Sequence, residues 1–276
     1  MQQRDLERSD GRALSVCLAP TAGWPVAQSL AMLRRIGAHR FGVMANTLET
    51  QGWDTPLATI VASGLSAEFI AGGVRARQDD ETGWDAALAT LTRAIDGAVE
   101  IGATTVSFTS GGSGTLAWED SAHRAVDRFG PLVEHARNRG VALALENTMS
   151  IRSGISFTHS VADTAELARR LDVGLMVDLY SAWQERGLMQ TVTDNLDTIR
   201  IVQIGDHRTS ATSVPNRWVP GDGEMPLERM VREVRELGYR GLIDLELLGP
   251  AIDDEGPERA LGRGWEWMRT HVPCAT

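Results

Sequence analysis

Apolar runs of strand length alternate with helix-like stretches along the whole of this 276-residue chain. Each run is rich in branched residues, and each is followed by a stretch with apolar residues at helical spacing. Strands that are apolar on both faces are typical of parallel sheets covered by helices. Eight such units without a break in composition predict a single (β/α)8 TIM barrel of the α/β class, which typically takes about 250 residues. A doubly wound open sheet is the structural alternative.

The predicted elements follow one another at short intervals. Strands are expected at residues 13–19, 39–45, 65–71, 104–109, 141–146, 173–178, 200–203 and 242–246. Helices are expected at residues 25–36, 55–64, 85–101, 120–138, 162–171, 188–198, 226–237 and 257–268. Gly102 and Gly140 are predicted to end two of the helices, and Ser160 to cap a third at its start. We therefore predict one catalytic barrel domain, residues 13–276, after a flexible charged leader at residues 1–12.

Charge and composition exclude several classes of protein. A formal net charge of −10 argues against nucleic acid as a partner, because binding to the phosphate backbone needs a basic surface. No segment approaches the ~18 apolar residues of a membrane helix, and the charged start lacks the apolar stretch of a signal peptide. Cys17 and Cys274 have no metal-type spacing and are interpreted as free thiols of a cytoplasmic protein. The sequence allows a homo-oligomer.

The basic residues are all of one type, since the 27 lysine and arginine positions are all arginine. Without lysine, Schiff-base catalysis and a lysine general base are both impossible. Proton abstraction next to a carbonyl must then use a metal ion and other bases. Arginine is instead suited to binding a phosphate or carboxylate through two parallel hydrogen bonds.

Four successive predicted strands end on an oxygen-bearing side chain: Glu146, Asp178, Gln203 and Glu246. For any one of them, a strand-end salt bridge or a cap is an equally good interpretation. In a parallel barrel, however, all four lie at the carboxyl end, where TIM-barrel active sites form. Three carboxylates and an amide oxygen suit Mg²⁺ or Mn²⁺ better than a structural Zn²⁺. The pattern therefore predicts a site for one hard divalent cation.

Such a site favours chemistry at a carbon next to a carbonyl. The ion would polarise the carbonyl and a neighbouring hydroxyl, which stabilises an enediolate as the α-proton leaves. Glu146 and Glu246 are the candidate catalytic pair, one removing the proton and the other delivering it elsewhere. His207, just beyond the seventh strand, is expected to point into the barrel mouth. Trp183, close after Asp178, is expected to form a wall of the pocket.

Five short motifs carry a resemblance to a known family: Leu145–Asn147, Val177–Tyr180, Gln203–His207, Arg217–Glu224 and Asp244–Glu246. They resemble the xylose-isomerase-like barrel superfamily, whose members include hydroxypyruvate isomerase, ketose 3-epimerases and inosose dehydratase. The resemblance extends over essentially the whole chain and is sharpest between Glu146 and Glu246.

The resemblance implies roles for individual residues. Glu146 and Glu246 match residues that are both metal ligands and acid/base groups, and Asp178 matches a metal aspartate. Gln203 falls where many members have a ligand histidine and the hydroxypyruvate isomerase branch has glutamine. The residues assigned to substrate binding are His207, Arg217, Trp183 and Asp206. Ser181 departs from the pattern, because ketose epimerases have a substrate-contacting histidine there.

We predict a metal-dependent isomerase or epimerase acting on a sugar, a polyol or a hydroxy-keto acid. A dehydratase acting on a keto-inositol-like substrate is the second candidate, because the same enediolate can expel a β-hydroxyl. A non-catalytic sugar-binding subunit is the candidate from another class, and four intact oxygen ligands argue against it. An endonuclease-type phosphodiesterase would need a multi-histidine, multi-metal site and a basic surface, and the sequence has neither.

Overall fold

The computed structural model describes residues 13–274, which form a closed barrel of eight parallel strands in sequence order. The strands are β1 (Leu14–Cys17), β2 (Arg40–Met44), β3 (Ser66–Gly72), β4 (Thr105–Phe108), β5 (Ala142–Glu146), β6 (Gly174–Asp178), β7 (Ile199–Ile204) and β8 (Leu242–Leu245). The last strand pairs with the first, with Ser15 opposite Asp244. The predicted single-domain TIM barrel is therefore confirmed, and the open-sheet alternative is wrong. The predicted leader lies outside the described residues.

Helices cover the outside of the barrel. They are α1 (Val26–Ile36), α2 (Ala45–Thr50), α3 (Asp54–Ser63), α4 (Trp84–Ile101), α5 (Trp118–Arg139), α6 (Val161–Leu171), α7 (Leu179–Ala182), α8 (Leu188–Asp194), α9 (Leu227–Glu236), α10 (Pro250–Glu255) and α11 (Pro257–His271). Short 3₁₀ turns lie at Ala19–Thr21 and Ser150–Arg152. Within residues 13–274, every helix is too short or too polar to span a membrane.

Three predicted helix caps agree with the structure, and some predicted helix ends differ by a few residues. Gly102 and Gly140 end α4 and α5 with φ of 73° and 70°, a region that glycine enters without a steric cost. The Ser160 side chain accepts a hydrogen bond from the Asp163 N–H and so caps α6. Helix α8 ends at Asp194, before the predicted end at residue 198, and the side chain of Asn195 turns back to the Thr191 carbonyl. Helix α11 extends to His271, beyond the predicted end at residue 268.

The short helices α2, α7 and α10 were not predicted from the sequence. Each spans four to six residues, which is too few for an apolar pattern to repeat. They follow β2, β6 and β8 and line the carboxyl end of the barrel.

Apolar side chains form two packed layers. The larger layer lies between the strands and the helices. A smaller cluster fills the barrel interior and consists of Cys17, Phe69, Ala71, Ala144, Met176 and Ile201. Cys17 and Cys274 are both free thiols, as predicted. Because side chains alternate along each strand, the residues two positions beyond this interior cluster face the mouth of the barrel.

Candidate active site

Three carboxylates meet at the carboxyl end of the barrel. Glu146 and Asp178 are the last residues of β5 and β6, and Glu246 directly follows β8. Each offers one carboxylate oxygen, and these oxygens lie within 4.8 Å of one another. Glu146 and Asp178 stand two residues beyond the inward-facing Ala144 and Met176, so strand alternation turns both into the barrel. The sequence thus predicted correctly that these three side chains converge.

Gln203 and Asp244 form a polar layer next to the carboxylates. The Gln203 amide nitrogen donates to Asp244 Oδ2 at 3.1 Å, and Ser15 donates a short hydrogen bond to Asp244 Oδ1. The Gln203 Oε1 atom is buried and has no hydrogen-bond partner within residues 13–274. A buried acceptor without a partner is costly, so this oxygen is available as a further ligand atom.

Arg217 supplies the positive charge among the carboxylates. Its Nη1 and Nη2 atoms donate to the two Asp178 oxygens at 3.0 and 2.9 Å, and Nη2 also forms an ion pair with Glu246. The guanidinium lies 4.3 Å from the centroid of the Tyr180 ring. Arg217 is only 2% exposed, and its partners in the structure are protein carboxylates. Its predicted contact with substrate stays a prediction.

A short antiparallel bridge places Arg217 over the barrel. Asp206 and Trp218 exchange two backbone hydrogen bonds of 2.9 Å, while the Arg217 N–H donates to the Leu248 carbonyl. The chain segment is thereby held between the ends of β7 and β8. Gly205 makes room for it, since a Cβ there would lie 2.7 Å from the Glu246 carbonyl oxygen and 3.0 Å from Arg217 Cδ.

Asp178 is held from several sides. Its Oδ1 atom accepts a hydrogen bond from the Tyr180 N–H, and its Oδ2 atom accepts one from the Ser181 hydroxyl. The Asn147 side chain bonds to both the N–H and the carbonyl of Asp178, which ties the end of β5 to the end of β6. Ser181 therefore positions the aspartate, at the place where the resemblance leads one to expect a substrate-contacting histidine.

Burial and crowding raise the pKa values of the acidic groups. Burial, reinforced by the charges of Glu246 and Asp178, raises the pKa of Glu146 to about 8. Burial also raises the pKa of Glu246, although the positive charge of Arg217 opposes the rise. Asp244 has its pKa raised to about 7 by burial, against the hydrogen bonds from Ser15 and Gln203. Burial alone would lower the pKa of Arg217, but Asp178 and Glu246 hold it above the usual range.

Aromatic rings form a wall beside the carboxylates. The His207 ring lies 5.6 Å from the Tyr180 ring and 6.2 Å from the Trp183 ring, centroid to centroid. Its Nδ1 atom is buried and has no hydrogen-bond partner in the described part of the chain. His207 and Trp183 thus lie together, next to the tyrosine that stacks on Arg217. Their contact with substrate stays a prediction.

The Asp206 carboxylate contacts the backbone of its own loop. The side chain is buried, and its two oxygens accept hydrogen bonds from the backbone N–H groups of His207, Gly221, Gly223 and Met225. Gly223 allows this close approach, because a Cβ there would collide with the Asp206 carboxylate. Asp206 therefore positions the loop in this structure, and its contact with substrate stays a prediction.

Several residues of the site were missed in the sequence. Ser15 lies in no motif, while Asn147, Tyr180 and Asp244 were quoted only as parts of motifs and were given no role. Strand alternation could have predicted that Asp244 faces the site, because a residue two positions before Glu246 points to the same side of the strand. The roles of Ser15 and Asn147 depend on partners in another strand or at its end, which a local pattern does not reveal.

A cavity of about 260 Å³ lies elsewhere, at the amino ends of the strands. Its lining includes Ala142, Gly174 and Arg200, the starting regions of β5, β6 and β7. Active sites of TIM barrels form at the opposite, carboxyl end. The carboxylate cluster, and not this cavity, is therefore the candidate active site.

Comparison with known proteins shows the family of this chain. The family model of the xylose isomerase-like TIM barrel matches residues 59–271. The fructoselysine 3-epimerases of Shigella flexneri and Escherichia coli O157:H7 are 26% and 27% identical to this chain over 172 and 127 residues. The alignments cover 61% and 45% of this chain and equal shares of the two relatives. The chain thus spans less than two thirds of the curated relatives it matches.

Solved structures share the fold over nearly the whole chain. A protein from Sinorhizobium meliloti 1021 has a TM-score of 0.83 at 20% identity, covering 95% of this chain and 98% of its own. The 3-keto-D-glucoside 4-epimerase of E. coli has a TM-score of 0.76 at 18% identity, covering 94% and 99%. The IOLI protein, solved with a zinc atom bound, has a TM-score of 0.78 at 16% identity, covering 94% and 98%. At these identities, the likeness establishes the fold.

Proposed function

This chain belongs to the xylose isomerase-like TIM-barrel family, and on that premise we propose that it is a metal-dependent sugar isomerase or epimerase. The enzyme abstracts a proton next to a carbonyl of a sugar, polyol or hydroxy-keto acid and returns it to another position. The similarity to epimerases supports this reaction class. The observation that carries the proposal is the convergence of Glu146, Asp178 and Glu246, with the pKa values of both glutamates raised.

The residues at the site fit a hard divalent cation. Glu146, Asp178 and Glu246 bring three carboxylate oxygens together, and Gln203 adds a buried amide oxygen without a partner. An all-oxygen ligand set favours Mn²⁺ or Mg²⁺. Such an ion would supply Lewis-acid polarisation of the substrate carbonyl and of its neighbouring hydroxyl. The structurally similar IOLI protein was solved with a zinc atom bound, which supports a metal ion as the cofactor.

The two glutamates are suited to proton transfer. They come from β5 and from the end of β8, so they approach a bound substrate from different sides of the barrel mouth. In the metal-free site, burial raises the pKa of Glu146 to about 8. A divalent cation bound there would lower this pKa again, towards the operating pH at which a carboxyl group can both accept and donate a proton. One glutamate removes the α-proton to give the enediolate of the substrate, and the other delivers a proton elsewhere.

The surrounding residues position these groups and the substrate. Arg217 holds Asp178 and Glu246 in place. Its buried Nε–H has no hydrogen-bond partner within residues 13–274 and is proposed to donate to a substrate oxygen. His207 and Trp183 are proposed to contact the substrate from the aromatic wall. The partner is a small carbohydrate or keto acid. A cytoplasmic location and the absence of nucleic-acid or membrane partners remain predictions from the sequence.

Deuterium exchange from solvent tests the reaction class. Purified protein with Mn²⁺ is incubated in D₂O with a panel of ketoses, keto-inositols and hydroxy-keto acids, and label on carbon is followed by NMR. We expect exchange next to the carbonyl without loss of water. Exchange with loss of water would assign the dehydratase reaction instead. No exchange with any member of the panel, in protein that binds Mn²⁺, would support a sugar-binding subunit.

Replacing each glutamate tests the acid/base assignment. Glu146→Gln and Glu246→Gln keep size and one oxygen ligand but remove the base, so the exchange rate should fall by at least about 10²–10⁴-fold. Binding of Mn²⁺, followed by calorimetry, should largely remain. Glu68→Gln, at a half-buried glutamate in β3, is the control. If both glutamine variants keep near-wild-type rates on the true substrate, the two-glutamate scheme has to be abandoned.

A further inference from the structure

Gln203 lies in the middle of a polar row that runs across four neighbouring strands. Asp178 of β6 stands in register with Gln203 of β7, Gln203 with Asp244 of β8, and Asp244 with Ser15 of β1. Side chains in register on parallel strands point to the same side of the sheet. All four side chains are buried, so each polar atom in the row must find its partner in the protein or in a bound ligand.

The Gln203 side-chain amide has two ends of nearly equal shape and opposite hydrogen-bonding character, an oxygen that accepts and a nitrogen that donates. Its nitrogen donates to Asp244 Oδ2 at 3.1 Å, and the Ser15 hydroxyl donates to Asp244 Oδ1. Both oxygens of Asp244 therefore act as acceptors. The nitrogen is the only end of the Gln203 amide that can meet an acceptor, so the contact with Asp244 decides which way the amide is turned.

This orientation leaves the amide oxygen available to a ligand. Gln203 Oε1 is buried and has no hydrogen-bond partner within residues 13–274. The two ends diverge from one carbon atom, so a nitrogen directed at β8 leaves the oxygen on the side of β6, where Asp178 belongs to the carboxylate cluster. A cation bound there would give this acceptor a partner. The reverse orientation would present N–H donors, which cannot bind a cation.

We propose that Asp244 is a positioning residue of the metal site, which holds the Gln203 amide with its oxygen, and not its nitrogen, towards the cation. The proposal rests on the metal site of the proposed function and goes beyond it, because Asp244 is outside the cluster of three carboxylates. Outer partners of this kind orient a ligand, and their loss typically weakens metal binding about 10–100-fold. Ser15 acts one step further out, by holding the other oxygen of Asp244.

Two substitutions of similar shape test the role of Asp244. Asp244→Asn removes the charge but keeps an oxygen that can accept from Gln203, while its new N–H group can donate to the Ser15 hydroxyl. Asp244→Leu removes the acceptor as well. Dissociation constants for Mn²⁺ are measured on the full chain by titration, from the EPR signal of free Mn²⁺.

The acceptor, and not the charge, should decide the affinity. We expect Asp244→Asn to bind Mn²⁺ within about two- to three-fold of the wild type, the loss that results when an amide divides its population between two orientations. Asp244→Leu should bind about ten- to hundred-fold more weakly, since nothing then holds the amide nitrogen away from the cation. Equal losses in Asp244→Asn and Asp244→Leu would show an effect of charge and overturn the proposal.

Gln203→Leu provides the control background, because the amide is then absent. If Asp244 acts through the amide, Asp244→Asn and Asp244→Leu should bind Mn²⁺ equally in this background. A difference that persists without Gln203 overturns the proposal. Melting temperatures in EDTA show whether each variant is folded. If Asp244→Leu does not fold, Asp244→Ala removes the acceptor without adding volume, and the same loss is expected of it.

The metal titrations keep this proposal separate from the proposed reaction. If Mn²⁺ binding depends on the acceptor at position 244 through Gln203 but no substrate exchanges a proton, the role of Asp244 stands and the isomerase proposal fails. If Asp244→Leu keeps the wild-type affinity for Mn²⁺ and proton exchange proceeds, the isomerase proposal stands and the role of Asp244 is wrong. A wild type that binds no Mn²⁺ overturns the metal site and this role with it.

Discussion

Arg217 allows three carboxylates to lie within a few ångströms of one another at the barrel mouth. Two of its N–H groups form a fork on Asp178, and Nη2 also reaches Glu246. Buried pairs of this kind are costly to break, because the remaining charge is left without a partner. The Tyr180 ring below and Gly205 beside the side chain fix its geometry. The guanidinium is therefore built into the site and cannot move freely to meet a substrate.

Arg217→Lys tests whether the reaction depends on the planar pairing of Arg217 with Asp178. Lysine keeps the positive charge but loses the planar fork, so it cannot hold both oxygens of Asp178 at once. We expect KM for the true substrate to rise and kcat/KM to fall by about ten-fold or more, the loss expected from one charge-assisted contact. Steady-state kinetics with saturating Mn²⁺ measures both. Arg208→Lys, at an exposed arginine beyond the same strand, is the control. Kinetics equal to the wild type would remove Arg217 from the substrate-binding set.

At the scale of elements, the loop between β7 and α9 is organised by one buried side chain. Four backbone N–H groups of this loop converge on the Asp206 carboxylate. The loop also contains the segment that crosses the barrel mouth with Arg217, and Arg263 pairs with its Asp222 from α11. The loop is therefore held at its start, along its length and against the last helix.

Asp206→Ala should loosen this loop while the barrel stays folded. The substitution leaves four N–H groups without their acceptor, and each buried unsatisfied donor costs about 1–3 kcal/mol before water enters. We expect faster amide hydrogen exchange at residues 219–225 and a reduced kcat/KM through displacement of Arg217. Hydrogen-exchange mass spectrometry locates the effect. The control is Asp254→Asn in α10, at an exposed aspartate. Exchange confined to residues outside this loop would contradict the anchoring role.

The elements also show what the sequence could and could not predict. Alternation of apolar runs and strand-end oxygens predicted the barrel and the meeting of Glu146, Asp178 and Glu246, because strand direction alone puts those ends together. The position of Arg217 depends on the Asp206–Trp218 bridge, a contact between distant segments without a local pattern. The resemblance located that arginine, but it did not reveal that Asp206 faces backbone N–H groups.

At the scale of the whole molecule, the candidate metal site joins the last four strands of the barrel, and the polar layer beside it crosses the closing seam. Its ligand atoms come from β5, β6 and the end of β8, with Gln203 of β7 beside them. Asp244 of β8 binds both Gln203 and Ser15 of β1, so the polar layer reaches across the β8–β1 seam. An ion bound here would stabilise the folded barrel in addition to its role in the reaction, because the unfolded chain has no such cluster of ligands.

Binding of Mn²⁺ should therefore raise the melting temperature. An ion at a hundred times its dissociation constant adds about 2.7 kcal/mol to the free energy of unfolding. For a chain of this size, that corresponds to a rise of roughly 5–10 °C. Calorimetry with Mn²⁺ and again with EDTA measures the difference.

Asp178→Asn separates the ion's contribution from that of the fold. The variant weakens the pairing of Arg217 and so lowers the melting temperature of the metal-free protein. The informative quantity is accordingly the difference between Mn²⁺ and EDTA within each protein. That difference should shrink towards zero in Asp178→Asn but persist in Asp254→Asn, whose carboxylate is exposed and is not one of the three in the cluster. An equal difference in wild type and Asp178→Asn would mean that the ion binds elsewhere, and the metal site proposed at the end of β6 would be wrong.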